Sequence, residues 1–211
     1  MSARSLNSIS LTGVTPSLAK AIGIEPPMQS EASIEALDRL VAKNAEGGKV
    51  DRIFMYNPDA IAEWIYKKYP HFLGEAKNII DLELPFKTVM PSVTPVCFGT
   101  MYTGAQPAVH GIQKYAKPVT KIDTLFDALI RAGKRVAIIA ENHCSMAAIF
   151  LEREMDYFIY DTVEEINLKA LELIEKDRYD LLVVYNANYD GTMHKTGPEA
   201  EAAMDALKDN I

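Results

Sequence analysis

Three places in the chain combine residue types and spacing that can do chemistry. The first is the stretch 91–112, PSVTPVCFGTMYTGAQPAVHGI, in which Ser92 and Thr94 precede apolar residues at helical spacing, Phe98, Met101 and Tyr102. A hydroxyl at a helix N-terminus stands beside unpaired backbone N–H groups and a positive dipole end, both of which favour a phosphate oxygen. Threonine is a weak nucleophile until a base or a metal lowers the pKa of its hydroxyl. Taken locally, Thr94 also reads as a simple N-cap, with Gly104 as the helix stop. The second place is Asp190-Gly191-Thr192-Met193-His194, in a loop expected after a strand over 179–185. A carboxylate and an imidazole at that separation suit zinc or manganese, which accept mixed oxygen and nitrogen ligands. The third is Asp59, just past the carboxyl end of a strand expected over 50–56, where open α/β sheets bind ligands. There the competing local reading takes Asn57 as an N-cap and Pro58 as the first residue of a helix whose dipole Asp59 favours.

The elements that must position these residues follow an alternating pattern. Helices are expected over 60–69, 124–132 and 162–176, the last opening on a Thr162-Val163-Glu164-Glu165 capping box, and strands over 135–140 and 156–160. A weaker strand is expected over 78–84. Alternating strands and helices of this kind indicate a parallel sheet with helices on both faces. Ahead of it, residues 1–49 form a helical preface, with one helix closed by Gly23 and another ended by Gly47-Gly48, expected to cover the domain formed by 50–211. The turn Glu141-Asn142-His143-Cys144-Ser145 at the end of the 135–140 strand reads as structural or peripheral.

Composition narrows the function classes. The 211 residues suffice for one domain with a sizeable core, and 48% hydrophobic with 24% charged residues is ordinary globular usage. A net charge of −7 with no basic stripe argues against a general nucleic-acid binder, but not against a phosphate-ester substrate, because a bound metal reverses the local field. Two distant cysteines, Cys97 and Cys144, form no disulfide framework and suit a reducing compartment. The N-terminus lacks the apolar core of a signal peptide, and no apolar run approaches membrane-spanning length. The expectation is a cytoplasmic protein with neither nucleic-acid nor membrane partners.

The first two places match two clauses of one family. After Thr94, Thr103-Gly104, Pro107 and His110-Gly111-Ile112 fit "TG-x-x-P-x-x-HG-I"; Asp190, His194 and Gly197-Pro198-Glu199 fit "D-x-x-G-H-x-x-G-P-(D/E)". The chain thereby resembles the alkaline phosphatase superfamily, in particular its type I phosphodiesterase/nucleotide pyrophosphatase branch. The resemblance implies a three-layer α/β/α sandwich with a mostly parallel sheet, and a metal-dependent hydrolase of phosphate esters or nucleotides. It implies Thr94 as nucleophile, Asp59 and Thr94 as ligands of one divalent cation, and Asp190 and His194 as ligands of the other, zinc in preference to manganese. His110 is implied to be structural, and Cys97 stands at a substrate-binding position where the branch has Asn. Met193 in place of Gly is a second departure. The family's further Asp-His pair and last His have no counterpart, since no histidine follows His194. The resemblance, over 50–211, therefore implies a truncated front portion of the catalytic domain with an incomplete two-metal centre. The alternative is a catalytically incomplete protein that binds a phosphorylated ligand or a partner. A sulfatase is disfavoured, because its modified Cys sits where this chain has Thr94.

Overall fold

A sheet whose two inner strands are buried on both faces, with helices apolar on one side, forms here a three-layer α/β/α sandwich, which the computed structural model describes over residues 9–210. In chain order the elements are β1 (Ile9–Ser10), α1 (Val14–Ile22), α2 (Glu35–Asn44), β2 (Ile53–Pro58), α3 (Glu63–Lys68), β3 (Phe86–Lys87), α4 (Thr94–Thr103), α5 (Pro107–His110), α6 (Leu125–Arg131), β4 (Val136–Glu141), α7 (Ser145–Ile149), β5 (Asp156–Tyr160), α8 (Val163–Lys176), β6 (Leu181–Asn186), α9 (Asn188–Thr196) and α10 (Glu201–Asp209). The central sheet runs β2-β6-β4-β5, every pair parallel, and β1 pairs with β3 in a separate two-stranded sheet.

Side chains alternate across a strand, so the sheet feeds two cores. Val136, Ile138 and Ala140 of β4 and Leu181, Val183 and Tyr185 of β6 face α1, α4, α6 and α7. Ala137, Ile139, Leu182 and Val184 face the other way, against Ile166, Ala170 and Leu173 of α8. Burial on both faces is why these strands read as continuous apolar runs. On the α4 side, Tyr102 stacks on Phe126 at 4.8 Å between ring centres and meets Phe150 edge-on at 5.2 Å. Such aromatic pairs add roughly 0.5–1.5 kcal/mol each beyond their buried area. Part of the 1–49 preface belongs to this core: Ala19 and Ile22 of α1 are buried in it, and the Thr15 hydroxyl donates to the Met101 carbonyl at 2.6 Å.

Two local expectations are corrected. No strand forms over 78–84; a 3₁₀ segment, Pro70–Ile79, occupies the approach, and only Phe86–Lys87 pairs, with β1. Ile79 and Ile80 are exposed, so the apolar residues that suggested a strand find no sheet to join. Asn57 and Pro58 do not start a helix either. They complete β2, and the following turn through Ala60, at a left-handed φ of 61°, delays α3 until Glu63. No helix among the described residues is long and apolar enough to cross a membrane.

Candidate functional site

The carboxyl ends of β2, β4 and β6 open onto a cleft of about 1000 Å³, and Asp59, Thr94, Cys97, Asp190 and His194 all line it. Open parallel sheets bind ligands at this edge because the helix N-termini that follow the strands converge there.

Thr94 is the first residue of α4, and Val93 is the N-cap, without a side-chain cap. The simple N-cap reading of Thr94 therefore fails. Pro95 has no N–H, and the Val96 and Cys97 amides both donate to the Val93 carbonyl. The expected cradle of free amides is thus reduced, with the Thr94 N–H and the helix dipole left to favour an anion.

Asp59 continues the sheet ladder, its N–H donating to the Asn186 carbonyl at 2.9 Å. Its Oδ1 accepts from the Ala60 amide at 2.8 Å. Its Oδ2 accepts from the Thr94 hydroxyl at 3.2 Å and from the Tyr185 phenol at 2.6 Å. Tyr185 is 4% exposed and meets Phe98 of α4 edge-on at 5.3 Å. Burial, and next the Asp59 charge, push its phenol far above the ordinary range, so it stays a donor.

Asp190 and His194 lie on α9 and not in a loop, one turn apart, with Asp190 Oδ1 and His194 Nε2 separated by 3.3 Å. Met193 explains the difference. It is a better helix former than the glycine of the resembled clause, and it packs beside the buried Ile65 and Tyr189. His194 is 70% exposed and Asp190 28%. Burial and then the charge of Asp59 raise the Asp190 carboxyl above its ordinary value, while His194 pulls it down.

The 141–145 turn is not peripheral, since all five of its residues line the cleft. Burial raises the Glu141 carboxyl, with Asp190 and Asp59 adding to the effect, against a lowering hydrogen bond from the Ala187 backbone. His143 adopts a left-handed φ of 58°, and its carbonyl accepts from Lys117 Nζ at 2.6 Å, which brings a cation to the rim. The sequence signal for this turn was its place at the end of a buried strand; the polar run itself carried none. Cys144 caps α7, accepting from the Ala147 amide, and burial pushes its thiol up to about 11. Burial likewise raises the Cys97 thiol, which shares a hydrogen bond with Thr88 at 3.3 Å. Both cysteines are thiols at neutral pH, so neither offers a thiolate nucleophile.

His110 lies outside the cleft and is 5% exposed. The Ile112 amide donates to Nδ1 at 3.2 Å, which leaves the proton on Nε2, 3.0 Å from the Thr100 hydroxyl. A Cβ on Gly99 would stand 2.7 Å from the imidazole Cε1, so the glycine makes room for the ring. The histidine ties the end of α5 to the middle of α4.

In kind, the donors around the cleft fit a divalent cation. Asp59 with the Thr94 hydroxyl and Asp190 with His194 supply oxygen and nitrogen, and the charge of Asp59 disfavours the ionised form of Asp190, a repulsion that a cation relieves. In number they fall short, because no three His, Cys, Asp or Glu side chains among the described residues form a metal-binding group. The chain matches no family model and no curated protein.

Proposed function

We propose that the chain is a phosphate-ester hydrolase of the phosphodiesterase/nucleotide pyrophosphatase type, with Thr94 as nucleophile and a small phosphate ester or nucleotide as substrate. One observation carries the reading. The hydroxyl of the first residue of α4 donates to a carboxylate, Asp59, in a cleft that Asp190 and His194 also line. Asp59 accepts the Thr94 proton as Oγ1 bonds to phosphorus and the ester oxygen leaves, giving a phosphoryl- or nucleotidyl-threonine that water then hydrolyses. The α4 dipole and the Thr94 amide favour the charge on the phosphoryl oxygens. Asp59 with Thr94, and Asp190 with His194, are the groups that would hold divalent cations, zinc or manganese, whose charge acidifies a hydroxyl and offsets the carboxylates. Free Cys97 and Cys144 support a reducing, cytoplasmic setting.

The test is hydrolysis of bis(p-nitrophenyl) phosphate by the purified protein with zinc or manganese. Thr94→Ala and Asp59→Ala are each expected to lose about a thousandfold or more in kcat, with circular dichroism unchanged. Near-wild-type turnover in either variant overturns the assignment. Phosphate binding without turnover in the wild type favours the non-catalytic reading.

A further inference from the structure

We propose that Tyr185 is a positioning residue, holding the Asp59 carboxylate in the orientation from which it meets the Thr94 hydroxyl. This inference rests on the hydrolase reading for its catalytic consequence, and on geometry for the contact itself.

Both oxygens of Asp59 accept hydrogen bonds. Oδ1 is restrained by the Ala60 amide, and Oδ2 takes the Tyr185 phenol at 2.6 Å and the Thr94 hydroxyl at 3.2 Å. A carboxylate with a donor on each oxygen cannot turn about its terminal bond without breaking one of them. Hydrogen bonds to an ionised acceptor are short and strong, so the phenol, with the shorter contact, fixes Oδ2, and the longer Thr94 contact is left free to change. Tyr185 is itself held on two sides. It is in register with Asn57 across the β2–β6 pair, and its ring stands edge-on to Phe98 of α4. Residues two apart share a face, so Asn57 and Asp59 both point to the α4 side, as Tyr185 does.

The residue type supports the role. The five β6 residues Leu181, Leu182, Val183, Val184 and Tyr185 are all buried, and phenylalanine would fill the Tyr185 site with the same ring. A buried hydroxyl costs stability unless it is bonded, and the bond that satisfies this one is to Asp59. The phenol thus serves the carboxylate rather than the core.

Tyr185→Phe keeps the ring and deletes only the donor. With bis(p-nitrophenyl) phosphate and manganese, the variant is expected to lose about 10- to 100-fold in kcat, the range for deleting a residue that orients a site group, with KM changed less than twofold. Its crystal structure is expected to show the Asp59 carboxylate turned out of hydrogen-bond distance of Thr94 Oγ1. An unchanged kcat in an active enzyme overturns the proposal, and so does an unmoved Asp59. An inactive wild type with a displaced Asp59 in the variant supports the positioning role and removes the hydrolase reading instead.

Discussion

Asp59 Oδ2 receives hydrogen bonds from two elements at once, Tyr185 of β6 and Thr94 of α4, while Asp190 and Glu141 bear on the same cleft with like charge. A cleft arranged in this way is not arranged for stability. The carboxyl of Asp190 sits above its ordinary pKa, so its charged form is disfavoured in the folded state and weakens folding at neutral pH. Asp190→Asn is therefore expected to raise stability at pH 7 while lowering hydrolysis, the usual exchange at a functional site. Urea unfolding measured beside turnover checks it, and a lower unfolding midpoint contradicts it. Gly99 is the opposite case, where structure alone is at stake. Gly99→Ala puts a Cβ 2.7 Å from His110 Cε1 and 2.8 Å from Nδ1, and overpacking of this kind costs about 1–3 kcal/mol. The expected result is an earlier urea midpoint with an unchanged slope.

At the scale of elements, α4 is latched to its neighbours at several points. Asn57 Nδ2 donates to the buried Tyr102 phenol at 3.2 Å, Thr94 reaches Asp59, and His110 joins Thr100 to the α5 turn. The histidine latch depends on pH. Burial lowers its pKa to about 4 from the ordinary 6.5, and its Nδ1 must stay unprotonated to accept the Ile112 N–H. Because the folded pKa is depressed, the latch is fully stabilising above pH 6.5 and is lost progressively as the pH falls towards 4, with a total on the order of 3 kcal/mol. Unfolding free energies of wild type and His110→Gln, measured from pH 7.5 to 4, are expected to differ most at pH 7.5 and to converge at low pH; a constant difference contradicts the assignment. The sequence made elements legible where local signals agreed with burial. The strand over 156–160 forms as expected, and Thr162 caps α8, its side chain accepting from the Glu165 amide. Elsewhere a local signal stood against its surroundings. Asp190 and His194 follow a strand closely enough to read as a loop, yet the chain turns into a helix at Asn188, and 78–84 reads as a strand only if a neighbouring strand is there to receive it. Which phenol reaches Asp59 is fixed by the pairing of Asn57 with Tyr185, a register that no local pattern in the sequence encodes.

Over the whole molecule, charge and site tell one story. The chain carries a net charge of −7, and Asp59, Glu141 and Asp190 gather at the cleft, where Lys117 brings a cation to the rim. Such a field would repel a phosphate ester until a cation offset it, so the proposed function requires substrate binding and cation binding to be coupled through the same carboxylates. A ligand that binds the folded chain alone stabilises it by mass action, by about 2.7 kcal/mol at a concentration 100 times its Kd. For a chain of this size that moves the thermal midpoint by roughly 5–10 °C. Manganese or zinc is therefore expected to raise Tm in a saturable manner, whereas sodium chloride at matched ionic strength, which only screens, gives a small and unsaturated change. The double variant Asp59→Ala, Asp190→Ala removes a carboxylate from each half of the cleft and is expected to lose the saturable rise. If the double variant keeps the full shift, the cation binds elsewhere on the acidic surface, and the carboxylates of the cleft are not its ligands.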